Sequence, residues 1–444
     1  MSSASDRTPD RSPDRRPARA AEGATAGATE GACPGASHPA PGLAGTPATG
    51  PNAATDAIAA AAQETREGPG GLPARSEAEL VERQRRGDLQ VRTAAEYRAL
   101  VAAAGLEEAY RRTDVVVAAD AEFTDQASLL LHLGPSDPPI RVRRFRLGAV
   151  EGIGGHGNTD LMVPIGQGGA AALSDLLAGE SLPLILSGEP TRQQPRLELE
   201  TRLDLEAIGA GRLLLHRGIS ENGVVAVSSR DGSVSTPWGT VLGPLTTALH
   251  SCGGAGSIGL TMPGLSLLGP GSPLLVAGSI GWVSGAGSGH QPQPRRQASG
   301  HALSPGAAAA VEVDLHGLDR RWLRAWRMAG GGSGLLVAIA APVPLINGVV
   351  ARQAAIGDDR LEAPVLDFGI PRRVRPSFGS VSYAQLHSGA LDLQGRRLAC
   401  APGHSPRLAA EISACLVERL QQGRFPLRLP LQPLPQRPAL RPLG

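Results

Sequence analysis

The sequence predicts an α/β fold, with mixed sheets layered with helices in one large domain, flanked by disordered N- and C-terminal segments. Short aliphatic segments bounded by glycine turns recur along the middle of the chain, the period-two, turn-punctuated pattern of strands. Between them stand longer stretches with apolar residues three and four apart and their own capping residues, which is the pattern of helices. At both ends the composition shifts toward small residues and proline, which cannot build a core.

Residues 1–75 are rich in Ala, Gly, Pro, Thr and Ser, so burial cannot offset the entropy of ordering them. Residues 76–86 read as a helix. So do residues 94–104, where Tyr97, Leu100, Val101 and Ala104 share one face and Thr93 with Glu96 forms a capping box. Residues 114–119 (DVVVAA) read as a buried strand. A helix follows at 170–177, then strands at 182–187, 197–203 (LELETRL, near-strict alternation), 223–227, 273–277 and 335–340. Further helices are expected at 319–328 and 405–420. The last segment, 424–444, carries six prolines and favours an extended conformation over a helix, a tail that suits a short partner-binding peptide. The domain between, 76–423, is long enough to bury a substantial core.

Composition excludes several chemistries. The 43 basic residues are all arginine. Without lysine there is no Schiff base, so no pyridoxal phosphate anchor, and no Walker A loop. Against 41 acids the chain is nearly neutral, and it has few aromatic residues for stacking bases, so no nucleic acid is expected. The apolar run 334–350 is interrupted by Pro342 and Pro344, so no membrane span is expected. The four cysteines (Cys33, Cys252, Cys400, Cys415) show no metal-ligand spacing, and the N-terminus has no apolar signal core. The expectation is a cytoplasmic protein without metal or cofactor.

The segment 365–389 (VLDFGIPRRVRPSFGSVSYAQLHSG) places Arg372, Arg373 and Arg375 beside a Gly-Ile-Pro turn. Arginine forks match carboxylates and other oxyanions two bonds at a time, so an anion is expected here. Asp367 is placed to pair with Arg372 or Arg373 across the turn. The glycine cluster of 166–179 opens a helix but lacks dinucleotide spacing, so it reads as turn chemistry.

Several segments occur in a fixed order: Asp137-Pro138-Pro139; Pro195-Arg196 leading to Glu198 and Glu200; Gly278 to Gly281 followed by His290; Val313-Asp314-Leu315; Pro342 to Asn347; and Leu366 to Arg373 continuing to Tyr383-Ala384. Together they resemble the homocysteine biosynthesis, sulfur-incorporation family over about residues 80–420. The resemblance implies sulfur transfer onto aspartate semialdehyde to give homocysteine. It also implies a protein cysteine that carries sulfur as a persulfide and a ferredoxin-like or persulfide-donor protein as partner.

Where sulfur-transferring members carry cysteine, this chain has Asp125, Gln193 and Ile219. None of these can hold a persulfide. Cys252, in a glycine-rich loop beside His250, is the remaining candidate, because a charged, close imidazole would lower its thiol pKa. The catalytic candidates are therefore Cys252 and His290. The substrate-binding candidates are Arg196, Arg217, Asn222, Asn347, Asp367, Arg372 and Arg373, expected to gather around one hollow for a small anionic substrate. Three readings stand: a sulfurtransferase, a cysteine-depleted relative that binds a related metabolite as a regulator or subunit, and an interaction scaffold built on the proline-rich tail.

Overall fold

The computed structural model describes residues 71–155, 157, 159–291, 293–327 and 332–435, and places them in an α/β fold with mixed sheets and eight α-helices among the described residues. Cys33 and most of the N-terminal arm lie outside the described residues.

A 14-stranded sheet forms the frame. Its strand Ser333–Pro344 is buried at every position, as its unbroken small and aliphatic sequence dictates for a strand covered on both faces. It runs antiparallel to Val115–Thr124, from Leu335 opposite Thr124 to Pro344 opposite Val115. Val91–Thr93 adds in parallel at that edge. In the other direction the order passes through Pro273–Val276, Ser279–Ala286, Ala308–Asp314, Ile208–Ser220 and Ala127–Leu133 toward Glu198–Leu203 at the far edge. The helix Pro406–Gln421 packs on Val115–Thr124 and Ser333–Pro344. Its face of Leu408, Ile412, Leu416 and Leu420 is buried at the spacing of one helical stripe.

A second, six-stranded sheet runs in the order Ser377–Ser382, Glu362–Asp367, Val225–Val227, Thr247–His250, Arg396–Pro402, Ala390–Leu393. Val225–Val227 is parallel to Glu362–Asp367 and antiparallel to Thr247–His250. This sheet has its own core, including Val225, Ala248, Val365, Tyr383 and Leu398, and Cys252 belongs to it.

The cap signals hold in detail. Ser76 and Thr93 each form a full capping box with Glu79 and Glu96, starting helices Glu77–Arg86 and Ala94–Ala104. Ser405 caps Pro406–Gln421, with proline at its first turn. The helix expected at 319–328 is not formed. Asp319 accepts from the Arg321 amide and caps a single 3-10 turn, Arg320–Trp322. The chain then continues as the strand Leu323–Arg327 along Ser333–Pro344, because its backbone completes a ladder there, from Leu323 opposite Val337 to Arg327 opposite Ser333. Met328 lies outside the described residues.

Both flanks of the domain are tied down where they are described. Arg75 donates to the carbonyls of Tyr110 and Thr113. Residues 426–430 have no helical turn, as their prolines require, yet Phe425, Leu427 and Leu434 are buried.

Candidate functional site

The strand Val115–Thr124 enters the core as an apolar run and then changes character. Asp120 and Glu122, two residues apart, fall on one face of it. The loop that leaves the smaller sheet's strand Thr247–His250 crosses that face. The Ala119 amide donates to the Gly256 carbonyl at 3.0 Å, and the Ile258 amide donates to Asp120 Oδ2 at 3.0 Å. This crossing brings Cys252 to the two carboxyls, with donor atoms of Asp120, Glu122 and Cys252 all within 4.8 Å of one another. Where none of the cysteine spacings suggested a metal, two sheets have assembled a mixed carboxylate and thiol cluster.

The loop is held tightly. Gly254 has φ 74°, and a Cβ there would lie 2.5 Å from Asp358 Oδ1 and 2.8 Å from the Tyr383 ring. Asp358 Oδ1 accepts from the Ala255 amide at 2.6 Å while Oδ2 meets His387 Nδ1 at 3.1 Å. Burial alone would raise the Asp358 pKa, but His387 and the Ala255 amide outweigh it and leave it low.

A cavity of about 420 Å³ opens beside the cluster, lined among others by Arg98, Asp120, Glu122, Gly256, His387 and His404. His250 stands behind this wall, with ring centroids 5.5 Å from His387 and 5.1 Å from His404. Burial, followed by the neighbouring imidazoles His250 and His387, pushes the His404 pKa down to about 3, so it is neutral at pH 7. Its Nε2 is buried without a hydrogen-bond partner, as is Asp120 Oδ1.

The carboxyls touch the cavity but are surrounded by protein, and the enclosed space does not solvate them as bulk water would. Burial raises Asp120 to about 7 despite the Ile258 amide. It raises Glu122 well above the usual carboxyl range, with Asp120 adding to the effect and Arg217 opposing it. Arg217 lines a second, small cavity with both carboxyls.

Of the sequence-predicted residues, Cys252 and Arg217 reach this place. Cys252 is 3% exposed. Burial pushes its thiol up to about 12, the nearby Glu122 and Asp120 charges reinforce this, and contacts with Ser257 and Gly254 counter it only in part. The expected activation by His250 is corrected: its Nδ1 pairs with the Cys252 carbonyl at 3.0 Å, not with the thiol, and burial lowers its pKa. Arg217 donates to Ser220 Oγ at 2.8 Å and to the Ser288 carbonyl, with Glu122 and Arg372 in its electrostatic neighbourhood.

Among the described residues, Arg196, Arg217 and Arg372 do not gather around one hollow. Arg372 is exposed in the 3-10 turn Arg372–Val374, and Arg375 stacks 3.8 Å from the Phe368 ring centroid. The Arg373 side chain lies outside the described part. Arg196 precedes Glu198–Leu203 at the far end of the large sheet's strand order. Its guanidinium braces the turn by donating to the Asp137 and Pro138 carbonyls.

Other candidates have structural work. Asn222 is buried, donating to the Ala302 and Glu362 carbonyls and accepting from the Gly223 amide and the Tyr383 hydroxyl, which uses its amide fully. Asn347 caps the helix Gly348–Ala354 by accepting from Val349 and Val350. Asp367 is buried, and its Oδ1 accepts from the Ser229 and Gly369 amides, so it organises the turn through backbone groups where an arginine pairing was expected. His290 Nδ1 accepts from the Ala308 amide at 3.0 Å.

Sequence reasoning missed Asp120, Glu122, Arg98, Asp358, His387 and His404. One signal was available for the first two. Two acids two residues apart in the continuation of DVVVAA break a buried strand on one face, an arrangement that costs stability unless it serves a purpose. The others come from distant segments with no local pattern.

The sequence model described as "Homocysteine biosynthesis enzyme, sulfur-incorporation" matches residues 89–427. Two curated relatives, each described as L-aspartate semialdehyde sulfurtransferase, are 28% identical to the chain. The relative from Methanocaldococcus jannaschii aligns over 373 residues, 78% of this chain and 70% of its own length. The relative from Methanosarcina acetivorans aligns over 357 residues, 78% and 69%. No solved structure matches.

Proposed function

Because the chain belongs to the homocysteine biosynthesis, sulfur-incorporation family, we propose that it incorporates sulfur into L-aspartate semialdehyde to give homocysteine. The observation that carries this reading is that the matched segment, 89–427, contains every residue that lines the 420 Å³ cavity. A four-carbon amino acid aldehyde fits such a volume, and Arg98 supplies positive charge on the wall for its carboxylate. The aldehyde gains sulfur from hydrogen sulfide and loses its oxygen as water. Two electrons and two protons from a low-potential reductant complete the thiol. A ferredoxin-like partner protein is the natural source of those electrons.

Sulfur is delivered as sulfide, or from a partner's persulfide, in which case two further electrons and two protons from the same reductant release its outer sulfur as sulfide and leave the partner's thiol. The positions Asp125, Gln193 and Ile219 hold no thiol, and the Cys252 thiol stays protonated under the weight of burial, a poor nucleophile. That same observation favours one second reading, in which the chain binds the metabolite as a regulator or subunit and does not turn it over.

The deciding measurement is homocysteine formation from aspartate semialdehyde, sulfide and a two-electron reductant, with and without a ferredoxin-like protein. It is made on the intact chain and on Cys252→Ser. Turnover in both supports the sulfide route. Turnover in the intact chain alone makes the Cys252 side chain necessary to the sulfide route. Turnover in neither, alongside measurable binding of the semialdehyde, establishes the second reading instead.

A further inference from the structure

We propose that Asp120, Glu122 and Cys252 form a binding site for one first-row divalent transition ion, of the zinc or ferrous class, open toward the large cavity. The two acids lie on a strand of the large sheet and Cys252 on the loop that leaves the small one, and still they converge within 4.8 Å, which is the spacing of ligands around a common ion. Convergence of acids alone proves nothing, but two further features point to a missing ligand. Asp120 Oδ1 is fully enclosed and makes no hydrogen bond, although the other oxygen of the same carboxyl is anchored by the Ile258 amide at 3.0 Å. Beside Glu122, to which its backbone is bridged, His404 is 9% exposed and lines the same cavity, and its Nε2 is also buried without a partner. The His404 ring lies close to the cysteine loop, with Cε1 3.5 Å from where a Cβ on Gly253 would stand.

Charge gives the same answer. An ion that displaced the protons of the two carboxyls and the thiol would meet three negative charges, which one divalent cation with the single charge of neighbouring Arg217 balances. The donor set selects the metal. A thiolate disfavours calcium and magnesium, while mixed sulfur and oxygen donors suit zinc or ferrous iron. Three protein donors leave a position open, as catalytic sites do, and the cavity lies on that side. An ion there would hold a soft anion such as sulfide against the substrate. That role rests on the sulfurtransferase reading, whereas occupancy of the site does not.

The test uses the full chain, stripped with a chelator and titrated with Zn²⁺ by calorimetry and with Co²⁺ by absorption. The expected result is one ion per chain, with a thiolate-to-cobalt charge-transfer band. Cys252→Ser abolishes the band, and Asp120→Asn and Glu122→Gln each weaken binding by about 100-fold. Cys400→Ser changes neither. Circular dichroism of each variant confirms the fold. The proposal is overturned if the stripped chain takes up no stoichiometric ion, or if the band survives Cys252→Ser. It is equally overturned if folded Asp120→Asn and Glu122→Gln variants bind as tightly as the parent. Ion binding without homocysteine formation leaves the site standing and removes only the proposed reaction.

Discussion

At the scale of single residues, the molecule separates polar groups that hold the fold from polar groups that face a ligand, and hydrogen-bond completeness is the criterion. Asn222 has all its amide capacity used inside the protein, linking the Tyr383 hydroxyl, the Gly223 amide and two carbonyls from distant segments. Asn222→Ala leaves those partners unsatisfied and should cost roughly 2–4 kcal/mol, read from the denaturant midpoint. Glu221 is a second case. It is buried, pairs with Arg296, and accepts from the amides of Gly264 and Ala307. Removing the carboxylate with Glu221→Ala is expected to cost about 3–5 kcal/mol, and isosteric Glu221→Gln less, because the amide oxygen keeps part of the network. His301 gives a pH signature. Burial lowers its pKa, with Leu260 O bonded to one ring nitrogen and Ser299 Oγ to the other. A folded-state pKa below the unfolded value means that the unfolded chain binds the extra proton first. Stability from this group is therefore present above about pH 6.5 and lost as pH falls toward the folded-state pKa. The difference in unfolding free energy between the parent and His301→Gln should narrow as pH drops from 7 to 5. A difference independent of pH would contradict this account.

At the scale of elements, what was legible in the sequence is what local physics decides. Ser76, Thr93 and Ser405 announce three helix starts because a side-chain oxygen satisfies amides one turn away, which needs no tertiary information. The alternating LELETRL becomes the strand Glu198–Leu203 because its period-two pattern is likewise a local signal. Segment 319–328 misled because tertiary pairing overrides propensity: LRAWR finds an open edge on Ser333–Pro344. The candidate site was less legible, since it depends on a crossing between two sheets that no period in the sequence encodes. The cysteine loop is the element that makes the crossing, and Gly254 is its critical point. Gly254→Ala combines a left-handed backbone with a Cβ driven into Asp358 and Tyr383. It should cost about 1–3 kcal/mol and displace the Ala255 amide from Asp358. The measurable consequence is faster hydrogen exchange at Ala255. Wild-type protection in that variant would show the loop to be less constrained than its geometry requires.

At the scale of the whole molecule, one question is whether the proline-rich end is an accessory or part of the fold. Its described portion answers through burial and hydrogen bonds. Phe425 is 1% exposed, Gln84 Nε2 donates to the Phe425 carbonyl, and the Leu429 amide donates to Glu77 at 2.8 Å. Residues 425–429 are thereby clamped to Glu77–Arg86, the first helix among the described residues. Leu431, 93% exposed, is the contrasting residue and contributes nothing to this clamp. Truncation after Gly423 therefore removes the burial of Phe425, Leu427 and Leu434, each worth about 1.5–3 kcal/mol. The truncated chain is expected to lose several kcal/mol and the hydrogen bonds that Gln84 and Glu77 make to the segment, whereas Leu431→Ala should be silent. If truncation leaves the denaturation midpoint unchanged, the segment is a true appendage, free to serve as a docking peptide. If the midpoint falls as expected, the prolines serve to hold an extended strap on the domain surface, and a partner could reach that strap only by competing with the fold.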